Sequence, residues 1–268
     1  MICKLLNQLP EGIRSPFIAV KDGRQQGLVF HEGSTAIQQA LFKEEGCEAL
    51  STLGRGSMLK FEWLPGRWGI LRQFLRGGMM KYVLRRYYLF DNRPLSEFSL
   101  HARILQLGLP VPRLLGVRWL RIGFFYTGAL ATEALEGEDL AQWLDLFKED
   151  LERCRPVLFA CGQAIREMHD ADVLHADLQV KNIFISGGIP FLLDFDRAVI
   201  GKSVSLFRRQ CNLLRLRRSF LKLGYRRQFF DIVLEGYGAI SFNKWLDRYY
   251  KIKGHLSDAV SFRRIPGK

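Results

Sequence analysis

Three residues of the chain have types and spacing suited to moving a phosphoryl group. Asp177 lies two residues after a histidine, in His175-Ala176-Asp177-Leu178-Gln179-Val180-Lys181-Asn182, and Asn182 lies five beyond it. A second aspartate, Asp194, follows a dozen residues later in Leu192-Leu193-Asp194-Phe195-Asp196. Phosphoryl transfer asks little covalent help of a protein. It needs positioned phosphates, neutralised charge and an oriented hydroxyl. Asp177 is the candidate catalytic residue. A carboxylate is a weak base, so its main task is to orient the acceptor hydroxyl. Asn182 and Asp194 offer the hard oxygens that Mg²⁺ prefers, and would hold the metal between the phosphates of ATP. His175 reads as a satisfied core histidine that buttresses the loop. Asp196 either joins the metal shell or pairs with Arg197 or another basic neighbour.

The remaining ATP contacts are expected upstream. Gly54 and Gly56, in Gly54-Arg55-Gly56-Ser57, would let backbone amides approach the phosphates, although hairpin turns often carry two glycines. Period-two alternation puts Ile70 and Arg72 on one face of the next strand. Arg72 would pair the phosphates through its bidentate fork, where a lysine is usual, and Lys60 on the preceding strand is the alternative. Glu97 would hold Arg72 as an ion pair, or else be a solvated helix carboxylate. Backbone groups from Glu133 to Leu135 are expected to meet the adenine.

Residues 27–64 read as strands joined by turns, including Leu28-Val29-Phe30 and 58–63, and Pro65-Gly66 turns the chain into a strand over 68–74. The pattern predicts a helix over 94–107. Asn92 is its cap, Gly108 and Pro110 its end, and Leu95, Phe98, Ala102 and Leu105 its buried face. Phe124 to Leu135 reads as strands closed at Gly137. Helices follow over 140–143 and 151–169, and the short strands 173–174, 183–185 and 191–193 flank the catalytic residues. A strand-rich half followed by a helical half predicts an α+β, two-lobed, protein-kinase-like fold. Its N-lobe would span residues 1–136 and its helical C-lobe residues 137–268.

The 268 residues are 48% apolar and 12% aromatic, enough for one large core or two small lobes and too apolar for disorder. Five cysteines, an odd number with no Cys-x-x-Cys, support neither a disulfide framework nor a zinc site. No apolar run nears the ~18 residues of a membrane span, and the N-terminus lacks a signal-peptide stretch, so a cytoplasmic protein is expected. The net charge of +13 implies an anionic partner: nucleic acid, a phosphorylated substrate or an anionic membrane surface. Two runs concentrate it. Arg197 to Arg227 holds ten Lys or Arg with no acid, and Arg67 to Phe90 holds six.

Several segments, taken together, resemble the 3-deoxy-D-manno-octulosonic acid (Kdo) kinases of the lipopolysaccharide kinase group. They are Gly54-Arg55-Gly56, the 71–78 segment ending Arg76-Gly77-Gly78, Leu107-Gly108-Leu109-Pro110-Val111-Pro112, the catalytic segments, Asp194-Phe195-Asp196-Arg197 and Asn212-Leu213-Leu214-Arg215-Leu216-Arg217-Arg218-Ser219. The resemblance covers about residues 50–223. It implies an ATP- and Mg²⁺-dependent kinase that phosphorylates the 4-hydroxyl of a Kdo sugar on a lipid A precursor. Such an enzyme would sit peripherally on the cytoplasmic side of the bacterial inner membrane. The basic runs would then hold it on that anionic surface, with Arg76, Arg197, Arg215, Arg217 and Arg218 as candidate acceptor contacts. The chain departs from the family pattern at Gln179-Val180-Lys181, where Asn-Ala is expected, and at Gln73-Phe74-Leu75, where a more basic aromatic pattern is expected.

The rival readings differ at the acceptor. A heptose or other sugar kinase would share the ATP residues. A protein kinase would need an anchor for a peptide-binding segment, such as Ala-Pro-Glu, which the sequence lacks. A non-catalytic basic protein on the same scaffold would suit the charge. However, no nucleic-acid motif is present, so no nucleic-acid partner is expected.

Overall fold

The computed structural model describes residues 15–50, 58–74, 88–89, 92–123, 125–195 and 198–242. The chain forms two compact units, residues 1–108 with 112–135 and residues 109–111 with 136–268. The glycine-rich loop with Gly54 and Gly56, the segment with Arg76, the pair Asp196-Arg197 and the C-terminal stretch from 243 lie outside the described residues.

The first unit is an antiparallel sheet. Its strands are β1 (Phe17–Asp22), β2 (Gln25–Phe30), β3 (Cys47–Leu50), β4 (Met58–Leu64), β5 (Arg67–Gln73), β6 (Tyr88–Leu89), β7 (Leu114–Ile122) and β8 (Phe125–Glu133). Their order is β1-β2-β7-β8-β5-β4-β3, with β6 beside β8. Chain neighbours point to opposite faces. Leu28, Leu114 and Leu130 therefore join one core with Phe98 and Ala102, while Val29, Leu115, Ala129 and Ala131 join another with Ile37, Ala40 and Leu41. A sheet apolar on both faces has to be covered on both. Helix α1 (Ser34–Gln38), which runs on into a π-helical turn over Gln39–Lys43, packs on one face, and α2 (Arg93–Gln106) on the other.

Helix α1 corrects the all-strand reading of 27–64. Ile37, Ala40 and Leu41, three and four residues apart, form one buried helical stripe. The helix starts at Gly33, whose φ of 68° favours glycine and where a Cβ would overlap the Trp63 carbonyl. Helix α2 starts where the sequence predicts: Asn92 accepts a hydrogen bond from the Leu95 N–H at 3.4 Å, and Pro94 stands in the first turn. Its buried face differs from the predicted stripe. Leu95 and Leu105 sit at the rim, Ile104 is fully buried, and two buried positions are polar, Glu97 and His101.

The second unit holds β9 (Glu138–Asp139), α3 (Leu140–Phe147), α4 (Leu151–Asp170), β10 (Val173–Leu174), β11 (Ile183–Ser186), β12 (Ile189–Leu192), β13 (Val199–Ile200), α5 (Leu206–Lys222) and α6 (Arg227–Tyr237). Strands β12-β11-β9 form one small sheet and β10-β13 another. Asp139 caps α3 by accepting from Ala141 and Gln142, and α3 runs a turn further than its sequence pattern suggested. Helices α4 and α6 approach at backbone distance. A Cβ on Gly162 would overlap the Val233 carbonyl, and one on Gly236 the Phe159 carbonyl. Among the described residues no helix is long and apolar enough to cross a membrane.

Candidate active site

In the first unit the pleat decides which charge meets which. Leu71 is fully buried among the α1-side residues, so its neighbour Arg72 turns to the α2 side, level with Leu130 on β8. There Arg72 Nη2 forms an ion pair with Glu97 Oε1. The Glu97 side chain is only 7% exposed, which removes the alternative of a solvated carboxylate, and the Arg72 guanidinium lies 5.2 Å from the Phe74 ring. The second oxygen of Glu97, Oε2, is buried without a hydrogen-bond partner among the described residues. Lys60 stands opposite Ile70 and lays its ammonium over the Trp68 ring at 4.2 Å, so it does not compete for Glu97.

His101, one turn after Glu97, donates from Nε2 to the Pro112 carbonyl at 2.7 Å, which fixes its tautomer because a carbonyl only accepts. Burial, reinforced by the positive charge of Arg72, pushes its pKa down to about 4, against a partial opposing effect from the Pro112 hydrogen bond. The Glu133 side chain is engaged by Arg67 at 2.6 Å and Arg113 at 3.7 Å, and its N–H donates to the Arg113 carbonyl at 2.8 Å. Leu135 ends the first unit.

In the second unit a hydrogen-bonded frame holds the loop of Asp177. His175 is fully buried, accepts the Asp177 N–H on Nδ1 at 3.0 Å and donates from Nε2 to the Leu193 carbonyl at 2.9 Å. Burial lowers its pKa, so the ring stays neutral, as this pattern of one donor and one acceptor requires. Phe195 packs on it, ring centroids 4.8 Å apart. His175 thus ties the loop that presents Asp177 to the strand end that presents Asp194.

Asn182 closes the loop from the other side. Its Nδ2 donates to the Asp177 carbonyl at 2.8 Å, while its own carbonyl accepts the Leu193 N–H at 2.9 Å. With the amide nitrogen so committed, Oδ1 is the oxygen left to bind a cation. Asp194 is exposed and takes a left-handed backbone with φ 59°, a conformation that aspartate tolerates better than most residues. An amide oxygen and a carboxylate held on neighbouring backbone segments are hard ligands, and the donor set fits Mg²⁺. The Asp177 carboxylate is exposed.

Helix α5 supplies residues to which the sequence assigned no role. Asn212 Nδ2 donates to the His175 carbonyl at 2.7 Å, and Ser219 Oγ accepts the Val180 N–H at 3.0 Å. Both belong to the arginine-rich segment, whose two small polar residues anchor the loop. Of those arginines, Arg215 is half-buried and near enough to His175 to oppose its protonation, and Arg217 and Arg218 are half-buried on the same helix. Lys181 is exposed on the 3₁₀ turn Val180–Asn182.

Residues 54–237 match the model of the Lipopolysaccharide kinase (Kdo/WaaP) family. A 3-deoxy-D-manno-octulosonic acid kinase of Xanthomonas axonopodis pv. citri (strain 306) is 40% identical over 185 residues, 67% of this chain and 72% of that one. The enzyme of the same name from Stenotrophomonas maltophilia (strain R551-3) is 34% identical over the same shares. Among solved structures, "WaaP in complex with acyl carrier protein" aligns with a TM-score of 0.57 at 17% identity, covering 83% of this chain and 91% of that one, a likeness of fold. With more than half its length matched to the family model, the chain belongs to the lipopolysaccharide kinase (Kdo/WaaP) family and is a phosphotransferase with an alcohol group as acceptor.

Proposed function

We propose that this kinase transfers the γ-phosphoryl group of ATP to the 4-hydroxyl of a Kdo sugar carried on a lipid A precursor, acting peripherally on the cytoplasmic face of the inner membrane. The observation that carries the chemistry is the exposed Asp177 carboxylate on a loop locked by His175 and Asn182. The observation that favours the sugar is the similarity to Kdo kinases across two-thirds of the chain.

Asp177 accepts a hydrogen bond from the acceptor hydroxyl, fixes its lone pair for in-line attack and receives its proton as the new P–O bond forms and the bond from the γ-phosphorus to the β–γ bridging oxygen breaks, releasing ADP. Asn182 Oδ1 and Asp194 would hold Mg²⁺, which would supply neutralisation of the phosphate charge. Arg72, ion-paired with Glu97, would contact the phosphates, and the backbone of Gly54 and Gly56 would be a second source of phosphate contacts. The adenine contact is assigned to backbone groups from Glu133 to Leu135 other than the Glu133 and Ala134 N–H groups, which donate to the Arg113 and Trp68 carbonyls. Arg76, Arg197, Arg215, Arg217 and Arg218 serve the acceptor's carboxylate and phosphates, and the basic surface serves anionic lipid.

Mass spectrometry of a Kdo–lipid A acceptor incubated with enzyme and Mg-ATP tests this. One added phosphate located on Kdo is expected. Phosphate found only when heptose is supplied would assign the enzyme to the other sugar.

A further inference from the structure

A buried chain of side chains runs from the last turn of α6 to the catalytic loop. The Tyr237 hydroxyl meets His169 Nδ1 at 3.0 Å, His169 Nε2 meets Asn212 Oδ1 at 3.1 Å, and Asn212 Nδ2 meets the His175 carbonyl at 2.7 Å. Tyr237 is 2% exposed, His169 0% and Asn212 4%. Every proton in this chain has its place dictated from one end. The His175 carbonyl can only accept, so Asn212 turns its NH₂ there and its oxygen to His169. His169 must then carry its proton on Nε2, which leaves Nδ1 to accept from the Tyr237 hydroxyl. The network has one consistent orientation, with no donor facing a donor. Arg209 secures the middle link by donating to the His169 carbonyl at 3.0 Å.

Packing alone would be served by apolar residues at these positions. Buried polar chains are costly unless fully satisfied, and when satisfied they specify one arrangement. The end point of this one bears on the reaction. His175, whose carbonyl receives the chain, also binds the Asp177 N–H and the Leu193 carbonyl. A shift of the His175 backbone therefore moves the presentation of Asp177, two residues on and bonded to the same ring, while Asp194 is linked to it only through the imidazole's bond to the Leu193 carbonyl.

We propose that Tyr237, His169 and Asn212 are positioning residues that set the backbone of the catalytic loop, so that alignment of the acceptor hydroxyl depends on a tyrosine hydroxyl sixty residues along the chain from Asp177. The inference rests on the reading of Asp177 as the residue that orients the acceptor. Tyr237→Phe deletes one oxygen and keeps the ring. Asn212→Asp keeps the acceptor for His169 and loses the donor to His175.

The test is steady-state kinetics of the full-length enzyme with Mg-ATP and Kdo–lipid A, alongside thermal melting and ¹⁵N NMR of the histidine rings. For both variants we expect kcat per folded molecule to fall roughly ten- to hundredfold with the KM for ATP within about twofold, as displacement of a reacting group predicts. The His175 ring resonances should also shift in Tyr237→Phe. A purely structural role would instead lower the melting temperature and leave kcat and the His175 resonances unchanged, and that result overturns the proposal. If Asn212→Asp does not fold, Tyr237→Phe decides alone. Asp177→Asn in the same assay separates the two readings. Full turnover there would refute the role of Asp177 itself, whereas an inactive Asp177→Asn beside a fully active Tyr237→Phe would refute only the relay.

Discussion

At the scale of single residues, the two charged groups read from the sequence as partners, Arg72 and Glu97, are paired through one oxygen of a nearly buried carboxylate. Removing the arginine strands that carboxylate. Arg72→Met should destabilise the protein by about 3 kcal/mol, the low end for a broken buried pair because Arg72 is 30% exposed. Adding Glu97→Leu should recover most of that stability in denaturant melts and none of the activity, which separates the ion pair's structural role from the proposed phosphate contact. Asp177→Asn should lower kcat by about 10²–10⁴ while the affinity for Mg-ATP, measured by calorimetry, changes little. Asp194→Ala should weaken Mg-ATP binding in the same calorimeter. The buried imidazoles predict a pH dependence with a definite sign. His101 and His169 each have a pKa of about 4 in the folded protein against 6.5 for an ordinary histidine, mainly through burial. Between those values the unfolded chain binds more protons, so stability rises with pH across the window and is lost as pH falls from about 6.5 towards 4. The slope is at most about 1.4 kcal/mol per pH unit for each ring. His101→Gln should flatten the profile of melting temperature against pH over that range.

At the scale of elements, most of the organisation was legible. The helix over 94–107, the strands about Pro65-Gly66 and the short strands flanking the catalytic residues all announce themselves through period, caps and turn residues, and all are present. Helix α1 was hidden because its single turn of regular helix offers only one apolar stripe, set between strand-like segments. The contact of α4 with α6 was hidden for a different reason: Gly162 and Gly236 carry no side chain to pattern, yet they let two backbones touch. Gly162→Ala should therefore cost about 3 kcal/mol or more, because the obstacle is a carbonyl that cannot rotate away. Ala is otherwise the better helix former, so a stabilised variant in thermal melts would contradict the close packing. Helix α5 carries two kinds of information in one segment. Its arginines were prominent in sequence, but Asn212 and Ser219 reach the catalytic loop.

At the scale of the whole molecule, a net charge of +13 concentrated in two acid-free runs should govern association with anionic lipid. Binding to vesicles containing acidic phospholipid should weaken steadily as salt shortens the Debye length below about 8 Å, as read by co-sedimentation. Salt-insensitive binding would point to apolar insertion instead. What the sequence determined by itself is the chemistry: residue types at fixed spacings within short segments, such as Asp177 with Asn182, specify which atoms are available, because loop and strand neighbours stay neighbours after folding. What only the tertiary structure decided is how those atoms are held. Glu97 could be judged buried only once the pleat of β5 turned Arg72 towards α2, and the link from Tyr237 through His169 and Asn212 to His175 joins residues up to 68 positions apart in sequence. Hydrogen bonds over such separations depend on how helices pack, and packing is a property of the folded chain that no local pattern of residues encodes.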